Sequence, residues 1–172
     1  MRLKISLDLD DTILSFQNHY VSKFGQPKTD LEITKNVRGI LLKDKDFWLS
    51  QPLINIPNFV PTQYTTARLI NKNWIKQQLE LNNLPKSPIY QVLGVSLSKA
   101  KMLRGRVDVH IDDSLRVFKD LNSRGIPCLL IDSPYNQGWG PIGRIYSLDI
   151  EEIEEVYNLF INTIFNDFKK LL

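Results

Sequence analysis

The chain has one cysteine and two histidines in 172 residues. A single cysteine cannot close an internal disulfide, and its presence in reduced form agrees with a reducing compartment. Cys128 lies inside the apolar run Ile126-Pro127-Cys128-Leu129-Leu130-Ile131, where it reads as a packing residue. Long hydrophobic runs are also missing, so nothing reaches the length that spans a bilayer. Charge of one sign is scarce in excess: 22 Lys and Arg against 19 Asp and Glu leave +3. The basic residues are scattered, which excludes the footprint of a dedicated nucleic-acid binder while favouring an anionic small molecule. Their densest cluster, Lys99, Lys101, Arg104 and Arg106, reads as the solvated face of a helix, Lys99 apart. Internal repeats and low-complexity stretches are absent. Met1-Arg2-Leu3-Lys4 runs straight into an apolar strand, without room for a secretory signal, so a cytoplasmic protein is expected. What remains, 42% hydrophobic and 24% charged residues, is the balance of an ordinary globular domain with one core and space for an insert.

Along the chain, apolar runs of strand length alternate with helical patterns. Strands are expected at Leu3 to Asp8, Val60 to Thr66, Ile89 to Leu93, Val107 to Ile111 and Cys128 to Ile131. Helices are expected at Gln17 to Phe24, Leu69 to Leu81, Ser98 to Leu103 and Ser114 to Ser123. Such alternation implies a parallel sheet wrapped on both faces. A last helix carries Ile150, Ile153, Val156, Tyr157, Phe160, Ile161, Ile164 and Phe168 at helical spacing, with Glu151, Glu152, Glu154 and Glu155 near the positive end of its dipole. Between the first two strands the text changes. Pro27, Gly39, Pro52 and Pro57 punctuate short helical pieces around Leu31 to Arg38 and Asp44 to Leu49, the composition of an inserted cap. Phe16, Tyr20, Phe24, Phe47 and Trp48 would form that cap's own small core, and one of them could also stack on a substrate.

The most informative segment is Ile5-Ser6-Leu7-Asp8-Leu9-Asp10-Asp11-Thr12. It runs an apolar strand into alternating carboxylates, at the strand end where open α/β sheets bind ligands. Acids this dense repel one another unless a cation sits among them, and an oxygen-seeking Mg²⁺ that also takes phosphate oxygens is the expected one. The bland alternative is an Asp-rich turn capping the next helix. Three later segments fall in matching places. Thr65-Thr66-Ala67-Arg68 ends the second strand, with hydroxyls and backbone donors expected at the start of a helix. Lys99 opens the helix after the third strand. Asp112-Asp113-Ser114 follows the fourth strand.

In this order the four segments resemble the motifs of the haloacid dehalogenase-like (HAD) phosphohydrolase superfamily: Asp8-Leu9-Asp10-Asp11-Thr12, Tyr64-Thr65-Thr66-Ala67-Arg68, Ser98-Lys99-Ala100 and Val109-His110-Ile111-Asp112-Asp113-Ser114. Within it, the Thr-Ala-Arg and Ile-Asp-Asp-Ser forms, and Asp132-Ser133-Pro134-Tyr135-Asn136 after the fifth strand, resemble the 5′(3′)-deoxyribonucleotidase group and its phage and bacterial relatives. The resemblance implies an α/β Rossmann-like three-layer sandwich with a mostly parallel central sheet and a small helical cap inserted after the first strand. The core would span residues 1–12 and 59–172, and the cap 13–58. It also implies a Mg²⁺-dependent phosphohydrolase acting on a nucleoside monophosphate through an aspartyl-phosphate. Asp8 would attack phosphorus, and Asp10 would serve as general acid and base. Thr66, Lys99 and Arg68 would bind phosphate, with Asn136 in support, and Asp8, Asp10, Asp112 and Asp113 would hold the metal. An ion pair is the other reading of Arg68, and a turn residue that of Asn136. Lys101 competes with Lys99, and only one of Thr65 and Thr66 is expected to reach phosphate, because they alternate across the strand. His19 and His110 are expected to pack or hydrogen-bond. Gly138-Trp139-Gly140-Pro141-Ile142-Gly143 lacks the ending of a phosphate-cradling P-loop and reads as a border loop or connector. Two further readings stand beside this one: a polynucleotide 3′-phosphatase, and a non-catalytic binding or assembly module with the same fold.

Overall fold

The computed structural model describes residues 2–39, 41–92 and 97–162. Six strands, β1 (Ile5–Asp8), β2 (Gln63–Thr66), β3 (Ile89–Gln91), β4 (Val109–Asp112), β5 (Cys128–Ile131) and β6 (Arg144–Ile145), form one sheet in the order β3-β2-β1-β4-β5-β6. Every pairing is parallel. Helices flank the sheet in a Rossmann-like α/β arrangement: α1 (Phe16–Phe24), α2 (Asp30–Gly39), α3 (Lys45–Leu49), α4 (Lys72–Leu81), α5 (Leu97–Leu103), α6 (Leu115–Ser123) and α7 (Ile150–Phe160). A parallel sheet covered on both faces requires strands without a wet side, and β1, β2, β4 and β5 are buried at every position. No described helix is long and apolar enough to cross a membrane.

The strand order reverses at β1. The chain moves outward from β1 through β2 to β3, then returns to the other side of β1 for β4. Neighbouring loops diverge there, opening a crevice beyond the strands' carboxyl ends. β1 ends in Asp8 and β4 in Asp112, so the two acidic segments border that crevice from adjacent strands.

Three expectations need correction. β6 is a strand where only a loop and helix were expected, and two residues are too few to show a period. Gly138 to Gly143 is the connector that brings the chain to it. The helix after β2 begins at Lys72, capped by Asn71, whose side chain accepts from Asn73 N at 2.9 Å. Residues before it are held away from helix by Gln91, whose Nε2 donates to the carbonyls of Arg68 (3.0 Å) and Ile70 (2.6 Å); Thr66 is therefore not at a helix start. β4 is shifted to include Asp112, since Asp108 N instead bonds Lys4 O. The expected positions Leu93, Ile164 and Phe168 lie outside the described residues.

Gly143 makes the turn into β6 at φ +67°, and a Cβ there would meet Phe118 at 3.1 Å and Phe160 at 3.2 Å. Gly143→Ala is expected to cost about 1–3 kcal/mol in urea denaturation, from a disfavoured backbone plus overpacking. An unchanged midpoint and slope would show that the aromatic pair yields freely.

Candidate functional site

The turn after β1 is built by its own backbone. Leu9 O accepts from both Ile13 N (3.0 Å) and Leu14 N (2.9 Å), and Asp11 closes the loop at φ +53°, donating from N to Leu14 O at 2.7 Å. Asp11 Oδ1 then accepts from Gln17 N at 3.0 Å. Asp11 thus caps α1, whose own N-cap Ser15 makes no side-chain bond, and the capping reading of this segment holds for that one acid. Asp8 and Asp10 are left for other work.

Asp8 meets Lys99 and Asp112 beneath the crevice. Lys99 Nζ donates to Asp8 Oδ1 at 2.7 Å and to Asp112 Oδ2 at 2.6 Å, with all three side chains buried. Thr65 Oγ1 also donates to Asp8 Oδ1, at 3.2 Å. Asp112 Oδ2 contacts His110 Nε2 at 3.1 Å, and its Oδ1 accepts from Ser114 N at 2.9 Å. Lys99, not the exposed Lys101, is the lysine among the acids. Asp113 receives the Thr12 hydroxyl at 3.5 Å, and its carbonyl is held by Asn136 Nδ2 at 2.8 Å.

A second cluster forms around Asp10, which is partly exposed. Arg68 Nε lies 2.8 and 3.0 Å from its two oxygens, Arg68 Nη2 2.6 Å from Oδ1, and Thr66 Oγ1 3.3 Å from Oδ2. Arg68 is itself 3% exposed and stacks over the Trp48 ring, 4.8 Å from its centroid. Both threonines thus engage acids, Thr65 on Asp8 and Thr66 on Asp10. Beside Asp10 opens a cavity of about 410 Å³ lined by Phe16, Ile33, Val37, Trp48, Leu69 and Arg38 among others. The aromatics of α1 and α3 pack on one another, Phe16 stacking on Trp48 at 5.8 Å, and these two also face the cavity.

Sequence reasoning missed three buried polar residues. Gln51 and Gln78 hold Arg68, and Arg144 organises the loop after β5 through Asp132 Oδ1 (2.6 Å), Asn136 Oδ1 (2.6 Å) and the Asn136 and Trp139 carbonyls. Gln78 carried a signal: a polar residue sharing an apolar stripe with Ile75 and Leu79. The histidines are as expected, His19 bonding the Phe47 carbonyl at 3.1 Å and His110 bonding Asp112.

The charges are out of balance. Burial, then repulsion from Asp112 and Asp8, pushes the Asp113 carboxyl up to about 9. Burial raises Asp8 to about 7 even though Lys99 pulls the other way. Asp112 behaves oppositely: burial opposes its charge, but Lys99 and the His110 hydrogen bond outweigh that and hold it well below the carboxylate range. Burial lowers His110 and keeps it neutral. One lysine therefore satisfies Asp112 and only part of Asp8. Donor atoms of Asp8, His110 and Asp112 lie within 4.8 Å of one another, a set able to hold a metal ion. Lys99 Nζ already sits on Asp8 Oδ1 and Asp112 Oδ2, so an ion held by this set would share those two carboxylates with the ammonium. Two carboxylates and one imidazole make a mixed oxygen and nitrogen donor set.

This imbalance has a measurable sign. Groups raised in the fold keep protons that the unfolded chain has released, so the stability they add is present at low pH and drains away as pH climbs through the raised values. Between about pH 4 and 9 the metal-free protein is expected to lose melting temperature, Asp8 contributing up to about pH 7 and Asp113 carrying the loss on to about pH 9. Added Mg²⁺ is expected to raise the melting temperature more at the upper end, and Asp113→Asn to flatten the metal-free slope. A flat slope in the wild-type chain would contradict the charge imbalance. No protein-family model matches the sequence, and a search of curated proteins finds no match.

Proposed function

We propose that the chain is a Mg²⁺-dependent phosphohydrolase of the HAD type that removes phosphate from a nucleoside monophosphate. The observation that carries the reading is the meeting of Asp8, Lys99 and Asp112, at 2.7 and 2.6 Å, at the ends of β1 and β4 where the strand order reverses. It sets a carboxylate able to act as nucleophile next to a fixed positive charge. Four sequence motifs in the order of that superfamily agree with it.

In the first half-reaction an Asp8 carboxylate oxygen bonds to phosphorus as the bond to the leaving oxygen breaks, and Asp10 gives that oxygen a proton. In the second, Asp10 takes a proton from water while the water oxygen bonds to phosphorus and the bond from phosphorus to the Asp8 oxygen of the acyl phosphate breaks, releasing inorganic phosphate and the free carboxylate. Lys99 balances charge on Asp8 and on the transferring phosphoryl oxygens, and Thr66 stands beside Asp10 to donate to them. Bound Mg²⁺, held by Asp8, Asp112, Asp113 and the Asp10 carbonyl, would supply charge neutralisation of the phosphoryl group. Arg68, with Nε and Nη2 on Asp10 and further bonds to Gln51 and Gln78, serves Asp10 rather than the phosphate in this state.

The apolar cavity beside Asp10 favours a compact leaving group with an aromatic face over a polynucleotide end. The test is phosphate release from nucleoside monophosphates, 3′-phosphorylated oligonucleotides and an aryl phosphate, with Mg²⁺ or EDTA. Metal-dependent release from mononucleotides is expected. Release from oligonucleotides alone would select the 3′-phosphatase, and none from any substrate would favour a non-catalytic module.

A further inference from the structure

We infer that Gln51 and Gln78 are positioning residues for Asp10, acting through Arg68 to set the carboxylate that protonates the leaving group; this rests on the phosphohydrolase reading above. A guanidinium is a planar fork, so holding its plane holds the carboxylate it grips. Arg68 grips Asp10 with Nε and Nη2. Its remaining contacts fix the plane: Nη1 donates to Gln78 Oε1 at 2.6 Å, Nη2 donates to Gln51 Oε1, and the group lies over Trp48. Gln78 Nε2 in turn donates to the Trp48 carbonyl and, at 3.2 Å, to Gln51 Oε1. Gln78 is 0% and Gln51 2% exposed.

Burying two amides is costly unless they are used, and packing alone would be met by an apolar side chain between Ile75 and Leu79. The amides come from the segment after α3 and from α4, while Arg68 follows β2 and Asp10 follows β1. Two of these pieces hold the guanidinium of a third, which grips the carboxylate of a fourth. If its task is to deliver a proton, the need for that task depends on the leaving group. A nitrophenolate departs without a proton, whereas the alkoxide of a nucleoside needs one.

The experiment compares wild type, Gln51→Met, Gln78→Met and Gln51→Glu on 4-nitrophenyl phosphate and on a nucleoside 5′-monophosphate, at saturating Mg²⁺. Each Met variant is expected to lose about 30-fold or more in kcat on the nucleotide and under about threefold on the aryl ester, in line with the size of general-acid effects. Mg²⁺ titration followed by thermal shift is expected to match wild type. Gln51→Glu keeps the acceptor that Arg68 and Gln78 use, and Gln51 Nε2 has no partner among the described residues, so it is expected to restore most of the nucleotide activity. Equal losses on both substrates in Gln51→Met, the milder variant should Gln78→Met not fold, would overturn the inference and leave the phosphohydrolase reading standing. A wild-type protein inactive on both substrates would overturn that reading and the inference with it.

Discussion

Asp8→Asn is expected to lower phosphate release by at least about 10³-fold while leaving the fold intact, because an amide cannot form the acyl phosphate of the proposed reaction. Stability and activity should part company here. Burial raises Asp8 to about 7, so a neutral isostere relieves the cost of its buried charge as well as removing one ion pair. Lys99 retains Asp112 at 2.6 Å, and Thr65 retains a carbonyl oxygen to donate to. The net change in unfolding free energy is therefore expected within about 1 kcal/mol at neutral pH. A variant keeping more than about a tenth of the wild-type rate would remove Asp8 from the chemistry.

The largest stability effect is expected from Lys99→Met. Its ammonium lies between two carboxylates with side-chain exposures of 6%, 10% and 2% for Lys99, Asp8 and Asp112. Methionine preserves the packing of the stem and deletes the charge, which leaves the two buried carboxyls without their counter-ion. Removing one partner of a buried pair costs roughly 3–5 kcal/mol, most of it the desolvated charge left behind. Urea denaturation at pH 8 in EDTA is the measurement, and the deficit is expected to shrink on acidification, as Asp8 takes up a proton. A loss below about 1 kcal/mol would mean that water reaches the acids freely. Turnover is expected to fall along with stability, so the two variants distinguish a nucleophile from a charge that holds the site together.

Residues whose role follows from strand chemistry were legible in the sequence. An apolar run ending in acids places Asp8 and Asp112 at strand ends, and alternation of strands with helices leads to a parallel sheet. The meeting of Asp8 with Asp112 at Lys99 was legible only through the family resemblance, because β1 and β4 become neighbours only through the reversal of strand order. Asp11 illustrates a local ambiguity: next to Asp10 in the chain, it turns at positive φ to cap α1. Arg68 was expected on phosphate, with an ion pair as its other reading; the structure has it paired with Asp10, and its partners Gln51 and Gln78 were not legible because they come from segments with no pattern in common. β6 escaped because its two residues are defined by pairing with Leu130 and Ile131, a long-range contact that no local period announces.

The central claim is that phosphoryl transfer passes through Asp8. Its most direct test is to mix the protein with a mononucleotide and Mg²⁺, quench in acid within a turnover, and map phosphorylation by peptide mass spectrometry. One phosphoryl group on Asp8 is expected, absent in EDTA and in Asp8→Asn; phosphate release with Asp8 unmodified, or with the phosphoryl group on another residue, would contradict transfer through Asp8.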